Sequence, residues 1–307
     1  MTSISLHDKV AVITGAGRGL GRAYALAFAE RGARVVVNDL GSDVEGSGSS
    51  AAVAEEVVDL IRSQGGDAVA DCHDVASADG GVALVRRALD AYGRLDIVVN
   101  NAGICRDKPF AESTLEDFAL NWRIHVGGHV NVTGAAWPVM QKQHHGRVIM
   151  TASGAGLFGL RGQAAYSCAK GAIHGLMRTL AIEGAEHGIL VNSICPGGFS
   201  RMHEAAFPDP DVREMMRNAM PPELVAPAVV WLASDECRIT GQELSVWSGR
   251  VSRVVVGTGR GLYDRQLSAE KIAEHWDDVS SVADLYEPLD GIDDVVHWQG
   301  AIAAQSR

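Results

Sequence analysis

Four glycines in seven residues, Gly15, Gly17, Gly19 and Gly21, separate an apolar, β-branched run (residues 9–14, KVAVIT) from an alanine-rich stretch with helical spacing (residues 20–30). A strand feeding a glycine loop and then a helix constrains the chain severely. Glycine lets backbone approach a bound diphosphate and lets the helix lie tight on its strand. The helix N-terminus adds free N–H groups and a positive dipole end. No Lys-Ser or Lys-Thr follows Gly21, so the loop is not a P-loop.

Asp39 closes the second apolar run, residues 34–38 (RVVVN). A carboxylate there suits the adenosine ribose hydroxyls of a dinucleotide, although a strand-end turn residue is the bland alternative. A 2′-phosphate would meet Asp39 charge to charge, so the expected cofactor is NAD. Arg18 keeps NADP open.

Apolar runs recur at 68–70, 95–100, 147–151, 189–194 and 243–246, with helical spacing at 51–63, 81–91, 115–139, 164–186 and 223–233. Alternation of this kind means an α/β fold, a doubly wound parallel sheet covered on both faces. Residues 39–50 read as a Gly/Ser-rich loop. Residues 199–220, with Pro208, Pro210 and Met202, Met215, Met216 and Met220, read as an irregular flap over an apolar substrate. The expected division is one domain over 1–249 and a C-terminal extension over 250–307. Ser268 caps a helix to about Trp276 in that extension.

Composition narrows function. The hydrophobic fraction of 47% excludes disorder, and the net charge of −11 argues against nucleic acid or an anionic membrane as partner. No run of 18 apolar residues suggests a membrane helix. The N-terminus does not read as a signal peptide. The five cysteines (72, 105, 168, 195, 237) show no C-x-x-C spacing, which suggests neither a disulfide framework nor a metal site and fits a reducing cytoplasm. No metal is expected; His144-His145 lack further ligands.

Tyr166 and Lys170 share a helix face at i,i+4, and Ser153 lies just past a strand. A tyrosine base at pH 7 needs its pKa lowered by about 3 units, or about 4 kcal/mol. One ammonium at about 4 Å supplies energy of that order at an effective dielectric of about 20. Ser153 can hydrogen-bond a substrate oxygen as charge develops. By itself the pair could equally be an amphipathic surface pair.

Together, TGAGRGLG (14–21), NNAG (100–103), Ser153, YSCAK (166–170) and PGG (196–198) resemble the short-chain dehydrogenase/reductase family over about residues 9–249. The resemblance implies a Rossmann-type fold and a nicotinamide cofactor held by Gly15, Arg18, Gly19, Leu20 and Gly21. It places Asp39 on the ribose and Asp74-Val75 by the adenine. Asn101, Ala102 and Gly103 form the floor, with Tyr166 and Lys170 at the nicotinamide ribose and Pro196 and Gly197 at the nicotinamide edge. Ser153, Tyr166 and Lys170 become the catalytic set. Where the family has an asparagine, whose main-chain carbonyl helps hold a relay water, this chain has His125, which joins the catalytic set: its own carbonyl can serve the relay and its imidazole can titrate near neutrality, with a helix-packing histidine as the alternative.

A closer likeness, carried by residues 22–41, 43–57, 100–110, His125, 135–140 and 200–202, is to a subgroup oxidising (3R)-hydroxyacyl-CoA thioesters, some members acting on steroid alcohols. That subgroup shares the histidine. The implied activity is NAD-dependent oxidation of a secondary alcohol, on a 3-hydroxyacyl-CoA or a hydroxysteroid. A non-catalytic NAD-binding sensor and an NADPH-dependent ketoreductase stand as alternatives. A homodimer or homotetramer through the long helices is implied. Arg106, Lys108 and Arg201 could hold coenzyme A phosphates or be solvated surface. Cys168 points away from Tyr166 and is read as packing.

Overall fold

A computed structural model of the chain describes residues 4–43, 45, 47–200, 204 and 209–305. Eight strands form one sheet: β1 (Val10–Thr14), β2 (Arg34–Asn38), β3 (Asp67–Asp71), β4 (Ile97–Asn100), β5 (Gly146–Thr151), β6 (Ile189–Gly197), β7 (Glu243–Trp247) and β8 (Arg250–Val254). Their order is β3-β2-β1-β4-β5-β6-β7-β8. Neighbours from β3 to β7 pair in parallel.

The strands read as continuous apolar runs because both faces are covered. Ala11 and Ile13 enter a cluster with Tyr24, Phe28 and Val229, while Val10 and Val12 enter another with Leu84, Val132 and Ile173. The first face is covered by α1 (Gly19–Glu30), α2 (Ala52–Ser63) and α9 (Ala226–Ala233), the second by α3 (Ala78–Tyr92), α5 (Gly128–Gln143) and α7 (Ala164–Gly184). The strand order reverses between β1 and β4, so the carboxyl ends of these strands open a crevice there.

The stretch expected to be helical over 115–139 has a defect. α4 (Leu115–Asn121) passes into a six-residue π-turn, Trp122–Gly127, before α5 resumes. Two further helices depart from expectation. α6 (Gly154–Phe158) follows Ser153, and α8 (Pro210–Ala219) stands in the stretch read as irregular. Asp209 caps α8 by accepting from the Asp211 N–H, and Pro210 sits at its first position, where its missing N–H costs no bond. Arg201, Met202 and Pro208 lie outside the described residues.

The chain clusters into two units, Met1–Arg253 and Val254–Arg307. The expected extension began at 250, but Arg250–Val254 forms the eighth strand. Ser248 and Gly249, both at positive φ (48° and 79°), make the two-residue turn that folds it back beside β7. Within the second unit, α10 (Ala269–Glu274), capped by Ser268, leads to α11 (Trp276–Ser280) and α12 (Gly291–Gln305). Tyr286 stacks on His297 at 3.6 Å, with Trp298 edge-on to both.

Candidate active site

One cleft runs along the carboxyl ends of β1, β2, β4, β5 and β6. Its nucleotide side is shaped by backbone. Gly15 and Gly19 have φ of +61° and +52°. A Cβ on Gly17 would lie 2.3 Å from Val53 Cγ1, and one on Gly21 2.2 Å from the Gly15 carbonyl oxygen. Asn101 locks the loop, its Nδ2 donating to the carbonyls of Thr14 (3.0 Å) and Gly15 (3.1 Å). The Thr14 hydroxyl accepts from the N–H groups of Asn101 and Ala102 at 2.9 and 3.0 Å.

Arg18 holds the N-cap of α1 without a side-chain cap bond, and the first residues of the helix, Gly19 and Leu20, line the cleft. Asp39 accepts from Gly17 N–H through one oxygen (2.9 Å) and from Gly41 N–H through the other (2.8 Å). Those bonds fix the carboxylate and leave lone pairs for diol hydroxyls. A glycine cradle, an open helix N-terminus and a fixed carboxylate fit a dinucleotide.

The other side of the cleft carries the titratable groups. Ser153 accepts the Ala155 N–H at 3.2 Å as the N-cap of α6, leaving its own hydrogen to donate. A hydrogen bond from Ser153 lowers the Tyr166 pKa, but burial acts more strongly and keeps it above the usual phenol value. Lys170 is buried and donates to the Thr151 carbonyl at 2.6 Å. Its ammonium is 5.7 Å from the centre of the Tyr166 ring. Burial also pulls Lys170 itself down to about 7.

His125 stands edge-on to Tyr166, ring centres 5.2 Å apart, with Nε2 3.0 Å from the Ile104 carbonyl. Its own carbonyl takes the Nδ1–H of His129, one turn on, at 2.6 Å. A carbonyl only accepts, so Nδ1 of His129 carries the proton and Nε2 is a bare acceptor. Burial keeps both rings neutral, lowering His129 to about 3 and His125 well below its ordinary value. Asn121 Oδ1, His125 Nδ1, His129 Nε2 and Thr151 Oγ1 are buried with no partner among the described residues.

The cleft wall includes Gly15, Arg18, Gly19, Leu20, Asp39, Asp74, Val75, Asn101, Ala102, Gly103, His125, Ser153, Tyr166, Lys170 and Pro196. Two expected residues stand behind it. Gly21 packs α1 on the loop, and Gly197 faces Trp247, so Gly198 lines the wall instead. Asn38, His73, Thr151 and Arg123 also line the cleft and were not expected from the sequence. The spacing that joined Tyr166 to Lys170 would have found His129 from His125. Lys108 is held by Asp117 at 3.0 Å, which removes it from the anion patch read in the sequence. The flap segment is tied at its ends by the Phe199 N–H donating to the Met220 carbonyl at 2.6 Å. Among the described residues no group of three or more His, Cys, Asp or Glu could hold a metal ion. No helix there is long and apolar enough to cross a membrane.

The family model described as short chain dehydrogenase matches residues 9–209. Peroxisomal multifunctional enzyme type 2 of Mus musculus is 42% identical over 304 residues, covering 96% of this chain but 40% of that enzyme. The chain therefore spans less than half the length of that relative. A putative short-chain type dehydrogenase/reductase of Mycobacterium tuberculosis is 40% identical over 91% of this chain and 96% of its own length. Among solved structures, a 7α-hydroxysteroid dehydrogenase complexed with NADH and 7-oxo glycochenodeoxycholic acid is 31% identical. It superposes with a TM-score of 0.72 over 81% of this chain and 97% of that one.

Proposed function

The chain belongs to the short-chain dehydrogenase family of oxidoreductases, and from that premise we propose that it oxidises a secondary alcohol to a ketone with NAD. The observation that carries this reading is the meeting of Ser153, Tyr166 and Lys170 in the cleft that also holds the glycine loop and Asp39. The substrate oxygen sits between Ser153 and Tyr166. Ser153 donates to it, and Tyr166, ionised, accepts the hydroxyl proton as the C–O bond becomes C=O. A bound nicotinamide supplies the hydride acceptor and, when oxidised, a positive charge that adds to that of Lys170. His125, neutral and edge-on, holds the Tyr166 ring in position.

NAD is favoured over NADP because Asp39 and Asp43 both line the nucleotide side, whereas Arg18 points to the Ser42 carbonyl at 3.4 Å. The substrate class we favour is a 3-hydroxyacyl-CoA, with a hydroxysteroid or its side-chain CoA ester second. Exposed Val130 on α5 and Ile182 on α7 support a homodimer or homotetramer through the long helices, and sedimentation giving a monomer would refute it. Five free thiols suit a reducing compartment such as the cytoplasm.

The test is to mix protein, NAD and both substrate types and to follow reduced nicotinamide. Tyr166→Phe should lower kcat by about 100- to 10,000-fold. A variant that kept the full rate would sink the mechanism.

A further inference from the structure

A small concavity adjoins the catalytic cleft on the outer side of α4, lined by Arg106, Glu116, Ala119, Leu120 and Arg123. Arg123 also lines the cleft itself, so the two share a wall. Neither arginine has a carboxylate partner among the described residues. Arg106 donates Nε to the Glu45 carbonyl at 3.1 Å, and Arg123 has no hydrogen bond or ion pair there. The acids nearest in sequence are already engaged. Asp117 takes Lys108 and the Thr114 N–H, and Asp107 takes Cys105 and the Gln163 amide at 2.9 and 2.8 Å. Glu116, exposed at the rim, is the one acid of the lining.

Two guanidinium groups left without counter-ions, in a chain of net charge −11, make a local positive field beside a catalytic cleft. A guanidinium presents forked donors that match phosphate and carboxylate oxygens, and Ala119 and Leu120 give the floor an apolar surface for the linker before such a group. We propose that Arg106 and Arg123 form an anion-binding subsite for the trailing end of the substrate. It takes a phosphate or carboxylate group joined by an apolar or amide linker to the reacting alcohol. The proposal deepens the alcohol dehydrogenase reading by fixing where the far end of the substrate lies.

The decisive measurement uses probes that do not depend on turnover. Coenzyme A, its pantetheine fragment without phosphates, and a steroid acid with a free side-chain carboxylate are titrated against wild type and the double variant Arg106→Ala/Arg123→Ala. The expected result is a 10- to 100-fold weaker affinity of the variant for coenzyme A or for the steroid acid, with the loss shrinking at high salt. Which probe responds identifies the anion. Arg106→Lys/Arg123→Lys should restore most of the affinity, and Glu116→Gln should tighten binding about two- to fivefold by removing the rim charge. Equal affinity of wild type and the alanine variant for both anions overturns the proposal, as does a loss as large for the pantetheine fragment. Thioester turnover separates the two readings. A wild type that binds coenzyme A through these arginines yet oxidises no thioester keeps the subsite and removes the acyl-CoA reaction.

Discussion

The two sides of the cleft are built differently. On the nucleotide side the polar groups that define the site are closed by other parts of the chain. Asp39 meets two backbone N–H groups, Asn101 two carbonyls, and the Thr14 hydroxyl two amides. On the alcohol side a lysine and two histidines are buried away from their ordinary pKa values, and four polar atoms face no partner among the described residues. A buried polar group left unmatched costs about 1–3 kcal/mol. The nucleotide side thus holds a shape, and the alcohol side holds an electrostatic potential at the expense of stability.

The strongest attempt to break that contrast is Lys170→Met. Turnover should fall at least 100-fold, yet the protein should become more stable. The folded ammonium titrates at about 7, while in the unfolded chain it titrates at about 10.4. Between those values the unfolded chain binds more protons, so wild-type stability rises with pH through this window. Below about pH 7 the full cost of the buried charge remains. The methionine variant should therefore exceed wild type by a few kcal/mol at pH 6 and lose that advantage towards pH 10. Urea melts at both pH values read this directly. A variant less stable at pH 6 would mean that the alcohol side is as closed as the other.

Gly21→Ala is the matching perturbation on the nucleotide side. Its Cβ would meet a backbone oxygen at 2.2 Å, an obstacle that cannot rotate away. Unfolding free energy should fall by about 3 kcal/mol, with no pH dependence between 6 and 10. A smaller effect is expected for Asp39→Ala. Losing the carboxylate should shift the NAD-to-NADP affinity ratio towards NADP by about 10- to 100-fold, roughly 1.4–2.8 kcal/mol. An unchanged ratio would place cofactor choice elsewhere, with Asp43 and Arg18 the next residues to change.

The same contrast governs how much could be read from the sequence. The nucleotide side depends on glycines at fixed spacing after an apolar strand, and these are local. Gly15, Gly17, Asp39 and Asn101 are therefore legible without a structure. The Tyr166–Lys170 pair is also legible, because i,i+4 is a helical spacing. The anchor of Lys170 was not, since the Thr151 carbonyl that takes its ammonium hydrogen lies 19 residues away. α8 was hidden because Asp209-Pro210 resembles a chain break as closely as it resembles a cap and first position. Gly197 and Gly198 exchange roles because only the placement of Trp247 decides which one turns outward. Arg123 was hidden for another reason. What distinguishes it is the lack of a counter-ion among the described residues, and no spacing rule reports that.

The π-turn at Trp122–Gly127 sets the rotational phase of everything after it. Each residue of α5 advances by about 100°, and the helix enters the core with His129 inward and Val130, 47% exposed, outward. The π-turn holds one residue more than an α-turn, so removing Val126 would let it close to an ordinary turn and leave α5 in phase. Removing Val130 instead, within regular helix, would turn the rest of the 16-residue helix by that angle and scramble its buried face. At this point the number of residues matters as much as their chemistry.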